Sequence, residues 1–222
     1  LKVVDIKGVS KFYGDYEILR DVSLTVNKGD FVVIYGEVGA GKSTLLKLVY
    51  FQDFPDKGSV EVLSLSSDLA RKRKGKVQEV RKKIGIITQE PIFINEMNCL
   101  ENIILVLEAL GFNRKIAENR AIEALDRVGM LSYAKKFPYE LSAGQRQKIS
   151  IARAIAKDPV LLIADDPTLG LDDRSSYEIE QLILSLNEMG TTVIWGANRV
   201  PQNAMKVSRI YRLKDGILEE VR

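Results

Sequence analysis

Residues 31–44 read Phe31-Val32-Val33-Ile34-Tyr35-Gly36-Glu37-Val38-Gly39-Ala40-Gly41-Lys42-Ser43-Thr44. An apolar run of strand length gives way to a glycine-rich loop, then a lysine, a serine and a threonine that open an amphipathic stretch. Strand, loop and helix N-terminus in that order form a phosphate cradle. Gly36, Gly39 and Gly41 let the backbone turn so that several N–H groups face one anion, and the opening helix adds the positive end of its dipole. Glu37, Val38 and Ala40 contribute backbone to the same wall, and Thr44 continues the first helical turn. Lys42 is the cation placed to reach β- and γ-phosphates, and the Ser43 hydroxyl is placed to ligate Mg²⁺. The motif predicts binding of a nucleoside triphosphate.

Outward from this loop, the chain reads as α/β. Val3 to Ile6 predicts a first strand, and Lys11-Phe12-Tyr13-Gly14 a turn. Ile18 to Val26 alternates apolar and polar residues, as a half-buried strand does. Ser43 to Phe51 predicts a helix, Gly58 to Leu65 a strand and Ile84 to Thr88 a short strand. Helical periods then follow over Leu100 to Leu110, Lys115 to Val128 and Ala143 to Ala156. In the second of these, Ile116, Ala117, Ala121, Ile122 and Leu125 share one face. Val160 to Ala164 reads as a buried strand, Tyr177 to Glu188 as a helix and Thr191 to Trp195 as a strand. Ile210 to Leu213 and Ile217 to Val221 pair across Asp215-Gly216 as a hairpin. The order suggests one domain over residues 1–222, with a helical subdomain inserted at about 90–157.

Composition removes several classes of function. The 222 residues include no histidine, so the commonest general base and histidine metal sites are excluded. A single cysteine, Cys99, cannot form an internal disulfide, which suits a reducing cytosol. The apolar runs are too short to cross a bilayer, and no basic-then-apolar leader opens the chain. The net charge of +3 is too small to argue for nucleic acid. Arg71, Lys72, Arg73, Lys74, Lys76, Arg81, Lys82 and Lys83 are nevertheless crowded together. They read as a solvated face or as an attraction to an anionic membrane leaflet or acidic partner loops.

Asp165 ends the buried run from Val160. A carboxylate at a strand end downstream of a phosphate loop is placed to hold Mg²⁺, and Asp166 beside it to orient or deprotonate the attacking water. Leu141-Ser142-Ala143-Gly144-Gln145 opens the third helix and makes a second anion site at a helix N-terminus, although Ser142 could simply cap that helix.

With this string the chain resembles the ABC-type ATPases from end to end; their signature usually reads Leu-Ser-Gly-Gly-Gln. The resemblance implies a P-loop ATPase core with a mixed sheet, an N-terminal antiparallel β subdomain and an inserted α-helical subdomain. It implies that Tyr13 stacks on adenine, against the alternative of a buried strand tyrosine. It implies that Gln89 touches Mg²⁺ and the attacking water, that Ser142, Ala143, Gly144 and Gln145 bind nucleotide, and that Ser142 and Gly144 face the γ-phosphate bound to Lys42 of the other copy. The partners implied are a second copy, or a paralogue, closing around ATP, and a transmembrane permease-type subunit. That partner would place the chain on the cytoplasmic face of a membrane, with no direct contact to nucleic acid. A soluble ABC ATPase acting on nucleic acid or ribosomes fits less well, because those members usually carry two cassettes.

Several phrases resemble the FtsE and LolD/MacB-like group: Phe31 through Leu46, Arg81 to Gly85, Leu100 to Ile103, Asn187 to Val193 and Met205 to Leu218. Three positions depart from the family. The catalytic carboxylate, normally Glu, is Asp166; the switch histidine is Asn198; the first signature glycine is Ala143. Asn198 can hydrogen-bond a γ-phosphate but carries no charge. Binding is expected to be intact, with hydrolysis either slowed or kept at ordinary turnover by a bridging water. Ile92, Phe93, Ile94 and Met97 bunch apolar residues around Pro91. They read as a docking surface for the membrane partner or as part of the subdomain's own core.

Overall fold

The computed structural model describes residues 1–201 and 206–222. Two sheets frame it. The first is antiparallel, in the order β2-β1-β4-β5, from β1 (Lys2–Tyr13), β2 (Tyr16–Asn27), β4 (Lys57–Val62) and β5 (Leu65–Ser66). The second is mixed, in the order β10-β9-β3-β8-β7-β6, from β3 (Phe31–Tyr35), β6 (Ile84–Ile87), β7 (Leu161–Asp165), β8 (Thr192–Ala197), β9 (Arg209–Lys214) and β10 (Ile217–Glu220). All its pairings are parallel except the β9–β10 hairpin.

The continuous apolar runs of the second sheet follow from burial on both faces. Phe31, Val33, Leu162, Ala164, Val193 and Trp195 face one core, which they share with α4 (Cys99–Ala109), α5 (Arg114–Arg127), α6 (Ala143–Ile155) and α7 (Asp173–Glu188). Val32, Ile34, Leu161, Ile163 and Ile194 face the other, shared with α1 (Lys42–Val49) and the antiparallel sheet. Capping residues fix the helix starts: Asn98 and Ser142 with full capping boxes, and Asn113 and Asp172 accepting from the third helical N–H. Cys99 lies in the first core, where burial and the nearby Glu140 charge push its thiol up to about 11.

Three local expectations are corrected. Lys11 to Tyr13 is strand, not turn: β1 runs on to pair Tyr13 with Tyr16 across Gly14-Asp15. Register shifts between Ile6 and Val9 and again up to Phe12 break the two-residue period, so the sequence hides the length of this strand. Gly58 to Leu65 is a strand and a turn rather than one strand, because Leu63 and Ser64 adopt positive φ and reverse the chain. On α5, Ala117, Ala121 and Leu125 are buried, but Ile116 and Ile122 are exposed at its margin. The basic segment forms two short helices, α2 (Ser67–Lys72) and α3 (Lys74–Lys82). Of the phrase Met205 to Leu218, Met205 lies outside the described residues.

Candidate functional site

The carboxyl ends of β3, β7 and β8 meet at one place, and the loops that leave them build the site. Gly36 follows β3 and donates to the Ala197 carbonyl at 3.1 Å. A Cβ on Gly36 would lie 2.2 Å from the Leu213 carbonyl oxygen, so glycine is required by the neighbouring strand as well as by any phosphate. Gly39 and Gly41 hold φ of 85° and 103°, and Gly41 is the N-cap of α1. Together with Ile18, Asn198 and Asp215, the stretch Gly36 to Ala40 lines a cavity of about 440 Å³.

Lys42 is buried inside the loop. Its Nζ donates to the carbonyls of Gly36 (2.8 Å) and Glu37 (2.9 Å) and to Asn198 Oδ1 (2.9 Å). Burial lowers its pKa, while the charges of Asp166 and Asp165 act the other way. Ser43 is exposed and Thr44 half-buried.

Asp165 is the last residue of β7 and stands level with Gly196 on β8, where a Cβ would come 3.5 Å from its Oδ1. Asp166 is 9% exposed, holds φ of 47° and donates its N–H to the Gly196 carbonyl at 2.8 Å. Desolvation raises its pKa, opposed by a backbone N–H from Asn198 and by Lys42. Asn198 therefore touches both groups: its N–H serves the Asp166 carboxylate and its side chain accepts from Lys42. Asp166 and Asn198 line a second cavity of about 230 Å³ together with Trp195. The indole N–H of this buried tryptophan has no partner among the described residues.

Tyr13 is 45% exposed, which removes the alternative of a buried strand tyrosine. Its hydroxyl donates to Asp53 Oδ2 at 2.8 Å and accepts from the Thr44 side chain, which ties it to the first turn of α1. Burial and the Asp53 carboxylate raise its pKa. It stands outside the lining of the loop's own cavity, where Glu17 and Ile18 take part instead. Sequence reading missed the supports of Tyr13: Lys11 is buried, donates to Asp53 (2.9 Å) and the Phe54 carbonyl (2.9 Å), and lies over the tyrosine ring. Nothing in the spacing of Lys11 and Asp53 signals a pairing across 42 residues.

Gln89 is exposed just beyond β6, the neighbour of β7, and no hydrogen bond joins it to the loop among the described residues. Ser142 and Ala143 are exposed at the start of α6. Ser142 Oγ accepts from the Gln145 N–H at 3.2 Å, and Gln145 Oε1 accepts from the Ser142 N–H at 2.9 Å, so the glutamine is engaged in a capping box. Gly144 is buried, and a Cβ there would lie 2.8 Å from Ser175 Oγ on α7. Its lack of a side chain thus serves packing within one chain. Ile92 is 82% exposed and Ile94 is exposed, while Phe93 and Met97 are half-buried. Asn102 and Arg153 hold this segment through its backbone, with Arg153 also lying over the Phe93 ring.

The donor set suits a triphosphate with Mg²⁺. Ser43, Asp165 and Gln89 are hard oxygen donors, too few for a protein cage, and the described residues hold no cluster of three or more acids, cysteines or histidines able to bind a metal alone. That is the pattern of an ion shared with phosphates and water.

Residues 19–169 match the model of the ABC transporter family. The chain belongs to that family. The ABC cassette is 35% identical over 218 residues to the cell division ATP-binding protein FtsE of Bacillus subtilis, covering 97% of this chain and 94% of that one. It is 34% identical to the lipoprotein-releasing system ATP-binding protein LolD of Aquifex aeolicus, covering 97% and 95%. Among solved structures, the ATP-binding cassette MJ0796, a dimer in a post-hydrolysis state with ADP and Pi, superposes with a TM-score of 0.86 at 33% identity over 99% of both chains. This cassette is an ATP-binding subunit and an ATPase of the ABC transporter type. No helix among the described residues is long and apolar enough to cross a membrane.

Proposed function

We propose that the cassette is the ATP-driven subunit of an FtsE- or LolD-like membrane complex. Two copies, or one with a paralogue, close around two ATP molecules, and the closure moves a transmembrane partner on the cytoplasmic face. The observation that carries this reading is the exposure of Ser142 and Ala143 at the start of α6, with no hydrogen bond to the phosphate loop of the same chain among the described residues. A helix N-terminus facing solvent supplies the anion site that a second copy's nucleotide would fill. The dimer of the MJ0796 cassette supports the same arrangement.

In this reading Lys42 and the N–H groups of residues 36–44 hold the phosphates, and Tyr13 stacks on the base. Ser43, Asp165 and Gln89 would hold Mg²⁺, which supplies charge neutralisation on the phosphates. Asp166 takes or orients the proton of the attacking water, and Asn198 holds Lys42 and Asp166 in one constellation. The exposed Ile92 and Ile94 offer the apolar surface for the transmembrane partner. Gel filtration with Mg-ATP tests the dimer. The wild type should shift to twice its monomer mass, and Ser142→Arg should bind ATP yet stay monomeric. A dimeric Ser142→Arg would remove the composite site.

A second reading rests on Asp166 and Asn198, both shorter or less basic than the family's Glu and His. ATP binding then closes the dimer as a switch, and hydrolysis resets it slowly. Phosphate release with and without the membrane partner separates the two: strong stimulation favours a motor, a uniformly low rate a switch.

A further inference from the structure

The segment holding α2 and α3 concentrates the charge of the molecule. Residues 67–83 hold eight cations against two acids, Asp68 and Glu79, while the whole chain nets only +3, so the remainder is acidic overall. Two of the eight are used inside the fold. Arg71 donates to the Pro55 carbonyl and lies over the Phe54 ring; Arg81 donates to the carbonyls of Tyr50 (3.0 Å) and Phe51 (2.8 Å).

The other six are Lys72, Arg73, Lys74, Lys76, Lys82 and Lys83. All are exposed, and none makes an ion pair or side-chain hydrogen bond among the described residues. Lys74 and Lys76 stand in the first turn of α3, which holds no acid, so they oppose the helix dipole. Buried Val77 and Val80 pin the helix there. Lys72 and Lys82 sit in last helical turns, where the dipole favours a cation, whereas Lys74 and Lys76 have no such compensation.

α3 runs directly into β6, and β6 is the edge strand of its sheet. The other end of β6 leads to exposed Ile92 and Ile94. Four strand residues span only ~13 Å. α3 with Lys74, Lys76 and Lys82, followed by Lys83, therefore adjoins one end of this sheet edge and the apolar docking segment the other, with Lys72 and Arg73 at the junction of α2 and α3. Residues 67–83 contain no aromatic side chain to stack a base, which disfavours single-stranded nucleic acid. Flexible, mostly lysine side chains spread over two short helices suit a diffuse anionic plane.

We infer that this edge faces the membrane and that the six cations rest on anionic lipid headgroups beside the transmembrane partner. The inference deepens the proposed function and takes from it only the location of the chain at a membrane. Co-sedimentation of the purified chain with vesicles tests it without that partner. Vesicles containing phosphatidylglycerol should bind the wild type, vesicles of phosphatidylcholine alone should not, and high salt should release it. The triple variant Lys72→Gln/Lys74→Gln/Lys76→Gln should bind phosphatidylglycerol vesicles roughly 100-fold more weakly and retain ATP binding. If that variant fails to fold, Lys82→Gln/Lys83→Gln provides the same comparison. Absence of wild-type binding to anionic vesicles overturns the inference, as does undiminished binding by the folded variants. Tighter capture of single-stranded RNA or polyglutamate by the same six residues would also overturn it. Ile92→Asp should keep vesicle binding while losing co-purification with an integral membrane subunit. Vesicle binding by a wild type that captures no such subunit would therefore defeat the docking reading alone.

Discussion

The phosphate loop and the carboxyl end of β7 sit side by side but are built differently. The loop carries every residue its chemistry asks for and is packed without slack: Gly36 lies against the Leu213 carbonyl, and Lys42 is buried with three oxygen acceptors. At the neighbouring end, Asp166 and Asn198 are smaller than the glutamate and histidine of the family pattern, and both line a cavity of about 230 Å³. The contrast separates two tasks. In the proposed function, holding a triphosphate falls to the first region and placing a water in line with its γ-phosphate to the second. Full binding is therefore expected, with hydrolysis limited by the reach of Asp166.

The sharpest way to break the comparison is at the loop. Lys42→Ala should weaken Mg-ATP binding roughly 10- to 100-fold, the scale of one charge-assisted contact. Burial lowers the Lys42 pKa, but the variant also gives up three hydrogen bonds, so a melting temperature below that of wild type is expected with the fold retained. Titration calorimetry and thermal melting check both halves; unchanged affinity in a folded variant would defeat the cradle. Gly36→Ala is expected to disturb packing and binding together, at about 1–3 kcal/mol of overpacking as the new methyl meets β9. Denaturant unfolding would show it, and a neutral effect would mean the loop has slack.

At the other region, Asn198→His should raise phosphate release by a few-fold, because imidazole can donate to the γ-phosphate where the Asn198 oxygen accepts from Lys42. No change in rate would leave Asn198 a structural linker. The smallest effect lies outside both regions. Lys157 donates to the Arg81 carbonyl, and burial lowers its pKa from 10.5 to about 8. Between these values the unfolded chain binds the extra proton, so stability rises with pH through that window. Lys157→Met should gain ~2–4 °C in Tm at pH 7 and lose that gain toward pH 10. A gain independent of pH would show that burial of the charge is not its cause.

The fold was legible where burial on both faces leaves unbroken apolar runs, as in β3 and β7, and where a cap such as Ser142 marks a helix start, whereas the cap Asn98 went unread. It was less legible in β1, whose register shifts erase the alternation, and on α5, whose Ile116 and Ile122 follow the period but stand at its margin. For the site, Lys42, Asp166 and Asn198 were named from the sequence, and the structure joins them by hydrogen bonds. The contacts that hold Tyr13 were not legible, because Lys11 and Asp53 meet only through sheet packing. Nor was the second duty of Gly144, whose close neighbour Ser175 lies on a different helix.

The central claim, that binding is complete while hydrolysis is limited by the short reach of Asp166, is tested most directly by Asp166→Glu. Steady-state phosphate release and Mg-ATP affinity are measured on the same preparation. Asp166 holds φ of 47°, a conformation less tolerant of longer side chains, so a melting temperature read alongside reports any strain. The account predicts turnover raised roughly 10-fold, on the scale of a better-placed general base, with affinity unchanged. The double variant with Asn198→His should fall short of the product of the two singles, since both act on one transition state. A folded Asp166→Glu whose turnover is unchanged or lower would contradict the account, because the site would then already be tuned around aspartate.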